Sequence, residues 1–183
     1  MITPQPAIRI DLFNHLLSRN FDASLYEGIV LDERNQILTV YLHNLSGQLV
    51  GYQRYNPNSE DKRTNIPKDA RYFTHRTSGQ HAVWGLETLN TQLSDCFVVE
   101  GIFKASALHR LGFNAIAVLC NNPKPLKSWL FALPYRLIAI GDNDDAGRKL
   151  IDAIGLGTRF EKDLDEYSLS ELKLCVDQLL SEL

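Results

Sequence analysis

The run Leu137-Ile138-Ala139-Ile140-Gly141-Asp142-Asn143-Asp144-Asp145-Ala146-Gly147-Arg148 decides how this chain is read. Four apolar residues stop at a glycine, a polar turn with three carboxylates follows, and a helix-compatible segment begins at 145. A short apolar run bounded by turn residues is the pattern of a strand buried on both faces, as in a parallel sheet. Working outward, residues 96–99 and 115–119, and more weakly 157–160, share that texture. Residues 102–111, 125–132 and 145–154 suit the helices between them. The strand ends recur about every twenty residues, which is what one strand plus one crossover helix needs. A last amphipathic helix over 168–183 opens with Ser168-Leu169-Ser170-Glu171, a capping-box pattern, and Leu169, Leu172, Val176, Leu179 and Leu180 form its apolar face.

Before residue 90 the texture differs. A helix-like stretch over 10–19 leads to strand-like runs at 28–31, 37–43 and 48–54, with turn residues between them. Residues 56–70, with Pro57 and Pro67, read as an exposed loop, and 71–74 as a short returning strand. The expected fold is therefore α/β: a parallel four-stranded sheet flanked by helices over 91–183, preceded by a small β-rich (α+β) subdomain over 1–90.

Nineteen Lys and Arg against 22 Asp and Glu give the 183 residues a net charge of -3. That balance excludes a binder that relies on bulk positive charge, but not an enzyme with a local basic patch. Cys96, Cys120 and Cys175 are odd in number and form no C-x-x-C pair, which excludes a zinc ribbon and favours reduced thiols. The first twenty residues carry no apolar segment of signal type, and nowhere do 18 apolar residues run together; a soluble cytoplasmic protein is expected. No G-x-x-x-x-G-K-[ST] loop and no G-x-S-x-G elbow occurs.

Ligands bind parallel sheets outside the carboxyl edge. Past the first strand stands Glu100-Gly101, past the third Asp142 to Gly147, and past the fourth Glu161-Lys162-Asp163-Leu164-Asp165-Glu166. Clustered carboxylates raise one another's pKa unless a cation compensates, and hard divalent cations suit such oxygen donors. Asp142 and Asp144, two apart, can face one ion, while Asp145 can serve the following helix as an N-terminal charge. An EF-hand is excluded, because the twelfth position holds no Glu.

Val98-Val99-Glu100-Gly101, an apolar helix, and then Ile140-Gly141-Asp142-Asn143-Asp144 together resemble the Toprim domain of bacterial-type primases, topoisomerases and some nucleases. Lys162-Asp163-Leu164-Asp165-Glu166 resembles the K-D-P-D-E segment of the primases. Upstream, Gly47-Gln48-Leu49-Val50-Gly51-Tyr52-Gln53-Arg54, Arg71-Tyr72-Phe73-Thr74 and Trp84-Gly85-Leu86 are similar, in order, to segments that precede Toprim in bacterial and phage primases. The resemblance implies a primase catalytic core that makes short RNA primers on single-stranded DNA from NTPs, using Mg²⁺ or Mn²⁺, in phage or mobile-element replication. It implies Glu100 as general base or acid and as a metal residue, Asp142 and Asp144 as catalytic metal ligands, and Asp163 and Asp165 as a second metal position. It also implies a replication partner that supplies zinc-binding or helicase function.

The chain departs from the family pattern in places, among them Cys120-Asn121-Asn122 where small glycine-containing turns are usual. The first motif usually reads E-G-x-x-D, and here the fourth residue after Glu100 is Lys104, which either faces solvent or pairs with a neighbouring acid. The basic residue expected before Trp84 is absent unless His81 stands in. Residues 54–76 hold six cations (Arg54, Lys62, Arg63, Lys68, Arg71, Arg76) and three anions, with Tyr55, Tyr72 and Phe73 between them. The segment is either a solvated loop or a surface for template or phosphates. On the second reading Arg54, Lys68, Arg71, Tyr72 and Arg76 contact nucleic acid or NTP, joined by His81, Lys104 and Arg148. The alternatives to a primase are a Toprim nuclease and a catalytically weakened Toprim module that binds nucleic acid or a replication protein.

Overall fold

The computed structural model describes residues 11–44, 46–60, 66–120 and 123–183. Lys62 and Arg63 of the basic stretch, and Asn121-Asn122 after the second parallel strand, lie outside the described residues. The chain begins with α1 (Leu12–Ser18), capped by the Asp11 side chain, which accepts from the Asn14 N–H. Then comes an antiparallel meander in the order β1-β2-β3-β4: β1 (Ile29–Asp32), β2 (Ile37–His43), β3 (Leu49–Tyr55) and β4 (Tyr72–Arg76). The period of two is obeyed along β2, where Leu38, Val40 and Leu42 are buried and Tyr41 is exposed. A bulge interrupts the β2–β3 pairing: Leu42 faces Gly51 but His43 faces Leu49, so Val50 is extra.

The second sheet is parallel, in the order β6-β5-β7-β8: β5 (Asp95–Val99), β6 (Asn114–Ala117), β7 (Arg136–Gly141) and β8 (Gly157–Arg159). Its crossover helices are α2 (Ile102–Arg110), α3 (Lys127–Leu130) and α4 (Asp145–Ile154), and α5 (Leu169–Glu182) closes the chain. The capping box forms as the sequence predicts, with Ser168 Oγ accepting from the Glu171 N–H, and Leu172, Val176 and Leu179 are buried. The helix expected over 125–132 is shorter: a 3-10 turn at Lys124–Leu126 precedes α3, because Pro123 and Pro125 withhold donors there.

Residues 83 and 84 join the sheets. Val83 exchanges backbone hydrogen bonds with His43 (2.9 and 3.2 Å), and Trp84 does so with Ala117 (3.0 and 2.9 Å). One cluster of buried side chains accordingly runs from Leu12 and Leu38 through Trp84 and Phe97 to Leu172. A second cluster, including Val83, Val98, Ile116, Leu126 and Leu150, fills the other side of the parallel sheet. Among the described residues, no helix is long and apolar enough to cross a membrane.

Candidate functional site

The carboxyl ends of β5, β7 and β8 bring Glu100, Asp142 and Asp163 around one cleft of about 350 Å³, also lined by Lys104, Leu119 and Asp165. Gln53 and Tyr72 of the meander, and Arg19 just after α1, form its other wall. A second hollow of about 500 Å³ continues from it, sharing Arg19, Tyr72, Asp163 and Asp165 and adding His15, Tyr55 and Arg71. A larger hollow of about 680 Å³ lies between Leu25, His43, His109 and Asn114, at the amino end of β6 and away from the carboxyl edge of the parallel sheet.

Two glycines make the β7 turn tight. A Cβ at Gly141 would stand 2.4 Å from the Gly147 carbonyl oxygen, and one at Gly147 would stand 2.1 Å from that of Asp142. No side chain fits at either place. Asp144, not Asp145, caps α4: its Oδ1 accepts from the Gly147 N–H at 2.9 Å. Asp145 lies in the first turn and pairs with Arg148 at 3.0 Å. On the other flank Leu119 holds φ at 51°, an uncommon left-handed conformation for a bulky residue, where the chain turns over the cleft.

The acids are not alone. Lys104, on the first turn of α2 with a side chain only 12% exposed, pairs with Asp142 and lies 3.2 Å from Asp163. Of the two readings of Lys104, the geometry shows the pairing one. Asp165 is buried and paired with Arg19, whose Nε donates to it at 3.0 Å and whose Nη1 donates to the Tyr72 hydroxyl at 2.8 Å. The Arg19 guanidinium also lies 4.0 Å over the Phe103 ring. Glu100 differs from the rest: its Oε1 is buried with no hydrogen-bond partner. Burial pushes its carboxyl above the ordinary range; Lys104 opposes that shift, and Asp144 and Asp163 add to it.

The sequence-predicted residues thus separate. Glu100, Asp142, Asp163, Asp165, Lys104 and Tyr72 meet at the cleft. Asp144 is occupied by its helix. Arg71 lines the adjoining hollow, where its Nε donates to the Ser59 carbonyl at 2.8 Å and pins the loop. Arg54 follows Gln53 along β3 and so points to the opposite face of the meander. Lys68, Arg76, His81 and Arg148 are exposed and line neither hollow. Arg19 and Gln53 were not singled out by the sequence; a lone arginine after a short helix carries no motif. Among the described residues, no three His, Cys, Asp or Glu side chains converge as a metal-holding group. The acids as arranged do not fit a divalent ion, because an ammonium already stands between Asp142 and Asp163.

No family model matches the chain, and no curated protein does. Solved structures do match. The Escherichia coli primase catalytic core is 19% identical with a TM-score of 0.61, over 80% of this chain and 52% of that one. The Aquifex aeolicus primase, with zinc-binding and RNA polymerase domains, is 18% identical with a TM-score of 0.60, over 99% of this chain and 43% of that one. A DnaG primase catalytic domain bound to single-stranded DNA is 17% identical with a TM-score of 0.59, over 92% and 58%. The chain has the fold of these primase catalytic cores and spans about half their length.

Proposed function

We propose that this chain is a primase-like module of DNA replication, which holds single-stranded DNA and a nucleoside triphosphate over the carboxyl edge of the parallel sheet and joins nucleotides into short RNA primers. The observation that carries this reading is Glu100, a carboxylate with a buried, unpartnered oxygen at the edge where parallel sheets bind ligands. Its raised pKa suits a proton acceptor for an attacking 3′-hydroxyl. The hydroxyl proton passes to Glu100, the oxygen bonds to the α-phosphorus, and pyrophosphate leaves. Lys104, paired with Asp142 and close to Asp163, lines the acidic side of the cleft, and Arg19, Tyr72 and Gln53 form the facing wall. The Mg²⁺ or Mn²⁺ that the Toprim resemblance implies is not matched by the paired acids, so no step is assigned to a metal. Template selection by a zinc-binding domain and unwinding by a helicase belong, in this reading, to other segments or polypeptides.

One observation favours a second reading, a nucleic-acid-binding module with weakened chemistry: Lys104 pairs with Asp142 and lies 3.2 Å from Asp163, offsetting one of their two charges. A single assay separates the two. The protein is incubated with single-stranded DNA and labelled NTPs in Mn²⁺, Mg²⁺ or EDTA, beside Glu100→Gln and Asp142→Asn. New short oligomers, lost in Glu100→Gln, support primer synthesis. Binding without oligomers supports the second reading, and shortened template points to a nuclease.

A further inference from the structure

The meander has two faces, and the cleft uses only one. Cross-strand register places Leu38, Tyr55 and Tyr72 in one row, and Val40, Gln53 and Thr74 in the next, all directed toward α1 and the cleft. The intervening rows face the other way. Val30, Thr39, Arg54 and Phe73 stand side by side across all four strands, and Tyr41, Tyr52 and His75 form the adjacent row. Tyr41 is 38% exposed and Val30 46%, and His75 is exposed as well. The Tyr52 ring lies 5.4 Å from that of His75 and 6.1 Å from that of Phe73. These seven residues include no acid, and among the described residues no carboxylate pairs with Arg54.

A sheet face on which the half-buried Tyr52 ring lies beside those of Phe73 and His75, with Tyr41 opposite Tyr52 in register and an arginine in the next row, is unusual for a plain exterior, where polar residues alternate outward. Its chemistry matches unpaired bases: flat π faces to stack on them, and a guanidinium for a phosphate or a base plane. The one fixed charge in these two rows is positive, as a phosphate contact needs, and duplex DNA hides the base faces that such rings would cover. We infer that the outer face of β2, β3 and β4 is a stacking platform for single-stranded nucleic acid, separate from the cleft. This rests on the proposed reading for its ligand class and extends it to a second surface on the same strand of template.

Two probes of equal length test the platform, a labelled oligothymidylate and its abasic counterpart. The wild-type chain is expected to bind the base-bearing probe about tenfold or more tightly than the abasic one, since stacking is lost with the base. In Tyr41→Thr/Tyr52→Thr, which keeps β-branched residues in the strands, most of that preference should vanish while abasic binding stays unchanged. Arg54→Gln should weaken both probes alike and lower the salt slope by about one. Circular dichroism melts establish that each variant is folded. A wild type without base preference, or a folded double variant that retains it, overturns the platform. Oligomer synthesis is read separately at saturating template: synthesis without base preference sinks the platform alone, and base preference without synthesis sinks only the catalytic reading.

Discussion

Lys104 shows how one charge sets the state of a cluster of acids. Its ammonium sits against Asp142 and within 3.2 Å of Asp163, and so supplies the compensation that clustered carboxylates otherwise take from an ion. Replacing Lys104 with Met should free both acids, and Mn²⁺ affinity, followed by electron paramagnetic resonance without substrate, should rise at least tenfold (about 1.4 kcal/mol). Lys104→Arg, which keeps the charge, should bind no better than wild type; equal affinity in all three would refute the tethered-cation account. At Gly141 the issue is space rather than charge. Gly141→Ala should cost at least about 2 kcal/mol in urea unfolding, because the added methyl meets fixed backbone. This turn was legible in the sequence, since glycines and acids at its spacing have few other uses. Arg19 was not, because its partner Asp165 is 146 positions away and only the folded chain brings them together.

Alternation along a strand and burial along a helix assign roles that composition leaves mixed. In sequence the basic stretch reads either as a solvated loop or as a binding surface; in the fold β3 turns Gln53 to the cleft and Arg54, where that stretch begins, away from it. Pattern located the strand, but the face of each residue followed only from its neighbours' burial. On α2, His109 lies within hydrogen-bond distance of Tyr26, Thr88 and the Ala115 carbonyl. Burial lowers its pKa from 6.5 to about 4, against a small opposing effect of the Ala115 carbonyl. The folded chain therefore keeps it neutral while the unfolded chain takes up a proton. Stability should be whole above pH 6.5 and decline as pH falls toward 4, by up to about 1.4 kcal/mol per pH unit from this residue. Denaturant titrations of wild type and His109→Gln across that window should show a flatter acid limb in the variant; parallel limbs would assign the decline elsewhere.

At the scale of the molecule, the parallel sheet and the meander share a core through Trp84. Its ring is buried and lies 4.8 Å from Tyr26 and 6.0 Å from Phe21, while its backbone pairs with β6. Trp84→Ala should lose about 3–5 kcal/mol. Because the same cluster reaches from Leu12 to Leu172, calorimetry of the wild type should show one transition rather than two. The parallel architecture was readable because strand ends recur at crossover spacing. The junction was not, since two residues bridging two sheets leave no periodicity behind.

The bulge at Val50 acts as a phase correction. Carried on in the register of its turn, where Leu49 meets His43, β3 would set Tyr52 opposite Val40 and Arg54 opposite Leu38, inside the core. One surplus residue shifts the alternation by half a period and sends Tyr55 and Gln53 inward instead. Neighbouring residues on a single strand thereby address different surfaces, and any change of odd length between Gly47 and Gly51 would have to be absorbed there to keep those addresses.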